Sequence, residues 1–323
     1  MKPILLIYSV VISFLISVLI CPFIIKYLRL LKFGQQVRDD GPSSHLKKAN
    51  TPTMGGIIFM ISMTISSLFF LKNNPEGILV LLTTIGFGLI GFTDDFIKII
   101  KKRSLGLRAY QKIILQIIML AFFLIFTNKF LPDKDYSCIY IPFVKNFSIE
   151  LGIFFVPFLF FVLVGTVNAV NLTDGLDGLA AGVTVLVSIF FMYLALKLHN
   201  PLCLIAGTVV GSLLGFLLFN SHPAKVFMGD AGAFALGGFL ASIAVVLKMP
   251  LFLLIVGLIY IAEALSVIIQ VVYFKLTNGK RFFKMAPIHH HFELCGWSET
   301  KVVSIFYFVT AIMCLVGLLA LNF

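Results

Sequence analysis

Apolar stretches of about 17 to 25 residues recur along the whole chain, each long enough to cross roughly 30 Å of hydrocarbon as a helix. They fall near residues 4–25, 54–71, 78–96, 113–130, 152–169, 179–196, 202–219, 232–247, 251–274 and 302–321. Ten such stretches take up more than half of the 323 residues, so the expected fold is all-α. The chain reads as a polytopic integral membrane protein forming one transmembrane domain over 1–323. Charged residues make up 12% of it, about half the share in a soluble chain. The first stretch is too long for a signal-peptide core and lacks a small-residue cleavage site, so it is expected to remain as a span.

A formal charge of +11 would suggest nucleic acid in a soluble protein, but its distribution here follows membrane orientation. Alternate connections carry Lys26, Arg29, Lys47 and Lys48, then Lys98, Lys101, Arg103, Arg108 and Lys112, then Lys225, then Lys275, Lys280, Arg281, Lys284 and Lys301. The other connections are poor in Lys and Arg. The basic side is therefore expected to be cytoplasmic, with both termini outside and with no nucleic-acid partner. Cys21, Cys138, Cys203, Cys295 and Cys314 show no CxxC spacing and read as packing residues. Among the outward connections, only 132–150 has room for a small hairpin.

The polar chemistry sorts to the basic side. Asp94, Asp95, Asp174, Asp177 and Asp230 fall there with His45, His222, His289, His290 and His291, while His199 falls on the other side. That sorting points to one cytoplasmic site built from connections near 26–53, 98–112, 170–178, 220–231 and 275–301. Adjacent carboxylates in Asp94-Asp95-Phe96-Ile97-Lys98 are costly in a bilayer unless they lie at an interface or in a polar cavity. Helical spacing puts Lys98 within reach of both, so the group is either an interfacial ion pair or a site for Mg²⁺ or phosphate.

Other connections add oxygen donors and turns. In Pro52-Thr53-Met54-Gly55-Gly56 the helix breaks, and the glycines are expected to expose backbone N–H groups to a ligand, with Lys48 nearby for phosphate. Asn168, Asn171, Asp174 and Asp177 sit in one connection without any basic residue, more oxygen than a single helix cap needs. Asp230, in Gly229-Asp230-Ala231-Gly232, suits a helix cap or a third carboxylate for a metal, and Phe227 offers a ring for stacking on a base. Three consecutive histidines, His289 to His291, point different ways on regular structure, so they suit phosphate binding or proton transfer better than one Zn²⁺. Glu263, midway along a span, is expected to be paired within the bundle.

Taken together, five motifs occur in one order: Thr51-Pro52-Thr53-Met54-Gly55-Gly56, Asp94-Asp95-Phe96-Ile97-Lys98, the run 168–178, Phe227-Met228-Gly229-Asp230 and Pro287-Ile288-His289-His290-His291-Phe292-Glu293. With them the chain resembles the polyprenyl-phosphate N-acetylhexosamine-1-phosphate transferases over essentially its whole length, most closely the muramoyl-pentapeptide branch. The resemblance implies ten helices in a bacterial cell membrane, a homodimer, and a cytoplasmic site that depends on Mg²⁺, with Mn²⁺ as a substitute. It also implies transfer of phospho-MurNAc-pentapeptide from UDP-MurNAc-pentapeptide to undecaprenyl phosphate, releasing UMP. By position, it makes Asp230 the principal metal ligand, with Asp94 and Asp95 as catalytic carboxylates beside it. Lys48, Asn168, Asn171, Asp174, Gly175, Leu176, Asp177, Asn220 and Phe227 become the substrate-binding set. His289, with His290 and His291, lies near the sugar phosphate. The alternatives are a relative that takes UDP-GlcNAc and, from another class, a transporter of an anionic solute. A transporter is expected to carry broken helices in paired repeats and polar groups at both faces.

Overall fold

The computed structural model describes residues 3–31, 51–101, 103, 105–132, 135–145 and 147–321. Among these the chain is helical almost throughout. The helices are α1 (Pro3–Leu30), α2 (Gly56–Leu68), α3 (Pro75–Ile100), α4 (Ala109–Phe130), α5 (Phe155–Thr173), α6 (Leu179–Lys197) and α7 (Leu202–Asn220). They continue as α8 (Gly229–Val246), α9 (Leu253–Val256), α10 (Leu258–Leu276), α11 (Ile288–Leu294) and α12 (Glu299–Leu319). Nine of the described helices are long and apolar enough to cross a membrane. The stretch expected over 54–71 is shorter than the sequence suggests: α2 has 13 residues, about 20 Å of helix. The span expected over 251–274 is also divided, into α9 and α10 at Gly257. The hairpin expected within 132–150 is present, with β1 (Cys138–Tyr140) antiparallel to β2 (Ser148–Glu150) and Ile139 opposite Ile149.

Small residues decide how these helices pack. Where apolar surface has no water to escape, helix association depends on close backbone approach and interhelical hydrogen bonds. On α1, Ser9, Ser13, Ser17 and Cys21 recur every fourth residue and are fully buried against α7. Ser13 Oγ donates to the Thr208 carbonyl at 2.6 Å and Ser17 Oγ to the Ser212 carbonyl at 2.9 Å. Central in the bundle is α8, buried from Ala231 to Val246 and rich in Gly and Ala. It lies along α3, and at Gly91 the two backbones are so close that a Cβ would overlap the carbonyl of Asp230.

That contact sets the spacing of two helices whose ends carry carboxylates. We therefore expect Gly91→Ala to cost about 1–3 kcal/mol by overpacking, seen as an apparent melting temperature lower by several degrees. Because it pushes Asp230 away from Asp94 and Asp95, turnover should fall by about tenfold or more. Unchanged melting and unchanged turnover would show that α3 and α8 do not fix the site.

The helix ends sort the polar groups as the connections predict. One end of the bundle holds the C-termini of α3, α5 and α7 with the N-termini of α2, α4, α6, α8 and α12. At the other end, Tyr140 N–H donates to the Lys248 carbonyl and Phe143 N–H to that of Ala320, so the hairpin sits against the C-terminus of α12.

Candidate active site

Asp94 and Asp95 lie in the last two turns of α3, where helical spacing aims Asp94, Asp95 and Lys98 toward α8. Asp230 occupies the first turn of α8, where the helix dipole favours a carboxylate. It makes no cap; its Oδ2 is 2.9 Å from Lys98 Nζ and 3.0 Å from Lys112 Nζ. Lys98 Nζ is also 2.7 Å from Asp94 Oδ2 and 3.4 Å from Asp95 Oδ1, and Lys112 Nζ is 3.1 Å from Asp94 Oδ2. The remaining oxygens take backbone donors: Leu107 N–H reaches Asp94 Oδ1 at 2.7 Å, and Ala231 N–H reaches Asp95 Oδ2 at 3.1 Å. Of the two readings of the pair on α3, a lone interfacial ion pair is too small for this arrangement. Three carboxylates from two helices converge on two ammonium groups, and one is Lys112, which the sequence presents only as an orientation anchor.

The donor set suits a metal ion. One oxygen from each of Asp94, Asp95 and Asp230 lies within 4.8 Å of the others, and hard carboxylate oxygens are the ligands that Mg²⁺ and similar cations prefer. Three carboxylates against two ammoniums leave the cluster formally negative, which favours a further cation.

Around this cluster the other predicted residues fall into three groups. The turn after α5 brings Asp174, Gly175, Leu176 and Asp177 to the same end, but the connection is shorter than expected. Asn168 and Asn171 are inside α5. Helical periodicity overrides the Asx content there, and the Asn168 amide donates to Gln116 Oε1 on α4 at 3.0 Å. Asp174 is held by the Gly229 N–H, and burial, then the charges of Asp230 and Asp95, push its carboxyl up to about 8. Asp177 does not cap α6 either. Its Oδ2 accepts from Ala224 N–H at 3.0 Å and lies 3.2 Å from His222 Nδ1, while its own N–H donates to Glu299 Oε1 at 2.7 Å.

The second group is the connection 220–228. Asn220 is buried, and its amide donates to the Val226 carbonyl at 2.9 Å, closing the loop that presents Phe227. Gly55 N–H donates to the Phe227 carbonyl and Gly56 N–H to that of Met228, both at 2.8 Å. The glycines therefore do not offer these N–H groups to a ligand, contrary to the sequence reading. They allow two backbones to meet, since a Cβ at Gly56 would overlap Gly232 and one at Gly55 would crowd Phe227. Lys48 lies outside the described residues.

The histidines form the third group. On α11 they diverge as expected. His289 turns inward to Glu263, with Nδ1 3.0 Å from Oε1, whereas His290 Nδ1 is 2.8 Å from Glu293 Oε2 and His291 Nδ1 accepts from Lys284 N–H at 3.1 Å. Glu263 is thus paired within the bundle, as expected, and its partner is a predicted site residue. The sequence reading puts Lys112 and His222 on the basic side without a role of their own in the site, and it does not single out Glu299. Each is an ordinary residue near a helix end, and only its partner across the fold distinguishes it.

A helical membrane bundle that gathers three carboxylates, two lysines and a buried histidine at one end has the form of a multi-pass membrane transferase. Residues 77–248 match glycosyl transferase family 4, and residues 48–60 match signature 1 of phospho-N-acetylmuramoyl-pentapeptide-transferase. The protein of that name from Clostridioides difficile (strain 630) is 52% identical over 315 residues, 97% of each chain. The one from Caldicellulosiruptor bescii is 50% identical over 313 residues, 97% of this chain and 96% of its own. The one from Clostridium perfringens (strain 13 / Type A) is 50% identical over 319 residues, 98% of each chain. The chain belongs to the phospho-N-acetylmuramoyl-pentapeptide-transferase family.

Proposed function

We propose that the protein transfers phospho-MurNAc-pentapeptide from UDP-MurNAc-pentapeptide to undecaprenyl phosphate, giving UMP and undecaprenyl-diphospho-MurNAc-pentapeptide (lipid I) for peptidoglycan biosynthesis. The observation that carries this reading is the convergence of Asp94, Asp95, Asp230, Lys98 and Lys112 at one end of the bundle. The excess of Lys and Arg in the connections at that end supports a cytoplasmic site, which a soluble nucleotide donor can reach. Assembly as a homodimer belongs to the same reading.

Asp94, Asp95 and Asp230 would hold Mg²⁺, or Mn²⁺ in its place. Such a cation, when bound, offsets the charge of the diphosphate and the charge that develops on departing UMP. Lys98 and Lys112 add two positive charges where the diphosphate oxygens would lie. Asp174, Gly175, Leu176 and Asp177 border the nucleotide and Phe227 provides a face for the uracil, while Lys48 joins this set by its position in the sequence alone. Asn168 and Asn220 brace the elements that carry this set, and Asn171 stays with the nucleotide-binding residues. An oxygen of undecaprenyl phosphate bonds to the phosphorus bearing the sugar, the bond from that phosphorus to the UMP oxygen breaks, and UMP leaves with the electron pair. A phosphate monoester dianion is already a competent nucleophile, so direct attack requires no covalent enzyme intermediate.

The carboxylate cluster and the nucleotide turn meet parts common to UDP-MurNAc-pentapeptide and UDP-GlcNAc, so sugar choice must come from elsewhere. The connection from α10 to α12 carries Lys280, Arg281 and Lys284 in exposed or partly exposed positions, a border suited to an acidic lactyl-peptide. We expect kcat/KM for UDP-MurNAc-pentapeptide to exceed that for UDP-GlcNAc at least tenfold, about 1.4 kcal/mol of transition-state discrimination. Steady-state rates with undecaprenyl phosphate in detergent test it. Equal values would favour the alternative, a transferase that takes UDP-GlcNAc.

A further inference from the structure

Glu263 and His289 form a fully buried pair that the carboxylate chemistry does not use. Glu263 is 0% exposed on α10 and His289 is 1% exposed on α11. Among the described residues, His289 is the only cationic group in contact with Glu263. A buried carboxylate left without compensation costs several kcal/mol, so the pair is stable when net neutral. Two forms satisfy that condition: carboxylate with imidazolium, and carboxylic acid with an imidazole that accepts at Nδ1. In both, Nε2 carries a hydrogen. Neither ring nitrogen and neither Glu263 oxygen makes a hydrogen bond of good geometry, but Nδ1 lies 3.0 Å from Glu263 Oε1, whereas Nε2 is buried against Gly175, where no side chain larger than hydrogen would fit.

Building on the proposed function, we infer that Glu263 is a positioning residue that claims Nδ1 of His289 and so directs an Nε2–H donor at the Asp174–Asp177 turn, to bind a phosphate oxygen of the nucleotide-sugar diphosphate. An orphaned buried donor implies an acceptor that arrives with the ligand. The turn covers Nε2 through Gly175, so binding of the donor and a shift of this turn go together. Histidine orientation fixed by a carboxylate on the opposite nitrogen is a general device, and loss of such a supporting partner commonly costs about 10–100-fold in activity.

A double-mutant cycle on the full-length protein in detergent tests this, with UMP release from UDP-MurNAc-pentapeptide as the readout and thermal melting as the control for folding. Glu263→Gln is expected to lower kcat by about 10–100-fold. In a His289→Asn background the same change should alter kcat by less than about twofold, because its effect runs through the histidine. Independent, multiplicative losses would overturn the inference and leave Glu263 a packing residue. If Glu263→Gln does not fold, ¹⁵N-histidine solid-state NMR of the wild-type protein decides. A protonated Nε2 assigned to His289 supports the pair as described, and a bare Nε2 overturns it. Turnover by the wild type in the same assay separates this inference from the reading on which it rests: a silent wild type would count against the transfer reaction, while the NMR result would still report on the pair.

Discussion

Asp230→Asn is expected to abolish turnover, lowering kcat by roughly a thousandfold or more. The reason lies in how many groups depend on that one carboxylate. Its Oδ2 is shared by Lys98 and Lys112 at 2.9 and 3.0 Å, and these ammoniums also reach Asp94 on a different helix. Asparagine keeps the shape but removes the charge, leaving two lysines against two carboxylates and taking one anionic oxygen from the donor set. Asp94→Asn should be similarly inactive while still binding the nucleotide donor, since the Asp174–Asp177 turn lies on another element. Turnover measured as UMP release, with calorimetry of donor binding, checks both. Asp230→Asn retaining a tenth of wild-type kcat would remove it from the reaction centre, and loss of donor binding in Asp94→Asn would move that residue from chemistry to recognition.

Removal of divalent cations is expected to have an effect as large. Three carboxylate oxygens within 4.8 Å of one another repel strongly, and the two ammoniums offset only part of that charge. Burial first, and then the charges of Asp230 and Asp95, raise the carboxyl of Asp174, and a bound cation would offset the second of these causes, so metal and nucleotide turn should respond together. In excess EDTA, transfer should fall to background. Adding Mg²⁺, or Mn²⁺, beyond the chelator should restore it. Full transfer in EDTA would leave the lysines as the only cations in the chemistry.

Much of this arrangement is legible in the sequence because it depends on local spacing. Helical periodicity from Asp94 to Lys98 puts the lysine beside both carboxylates, and the span lengths, with the alternation of Lys and Arg, gather Asp174, Asp177, Asp230 and His289 at one end. What the sequence hides depends on distant contacts. Lys112 reads as an anchor in a basic connection until α4 is placed beside α3, and the partner of Glu263 is known only once α11 folds back on α10. Gly55 and Gly56 look like a ligand-binding turn, whereas backbone carbonyls of the next loop in space take up their N–H groups. The Asx-rich run 168–178 has the composition of a loop, yet its first residues complete α5 because apolar burial on both sides outweighs their modest helix propensity.

The central claim is that this helical bundle uses its carboxylate cluster to exchange UMP for undecaprenyl phosphate on one phosphorus. The most direct measurement follows UMP and the lipid product together by mass spectrometry, with purified protein, UDP-MurNAc-pentapeptide, undecaprenyl phosphate and Mg²⁺ in detergent. We predict equal molar yields of UMP and undecaprenyl-diphospho-MurNAc-pentapeptide, and neither product with Asp230→Asn or without the lipid acceptor. UMP release without lipid product, or lipid product formed undiminished by Asp230→Asn, would contradict it.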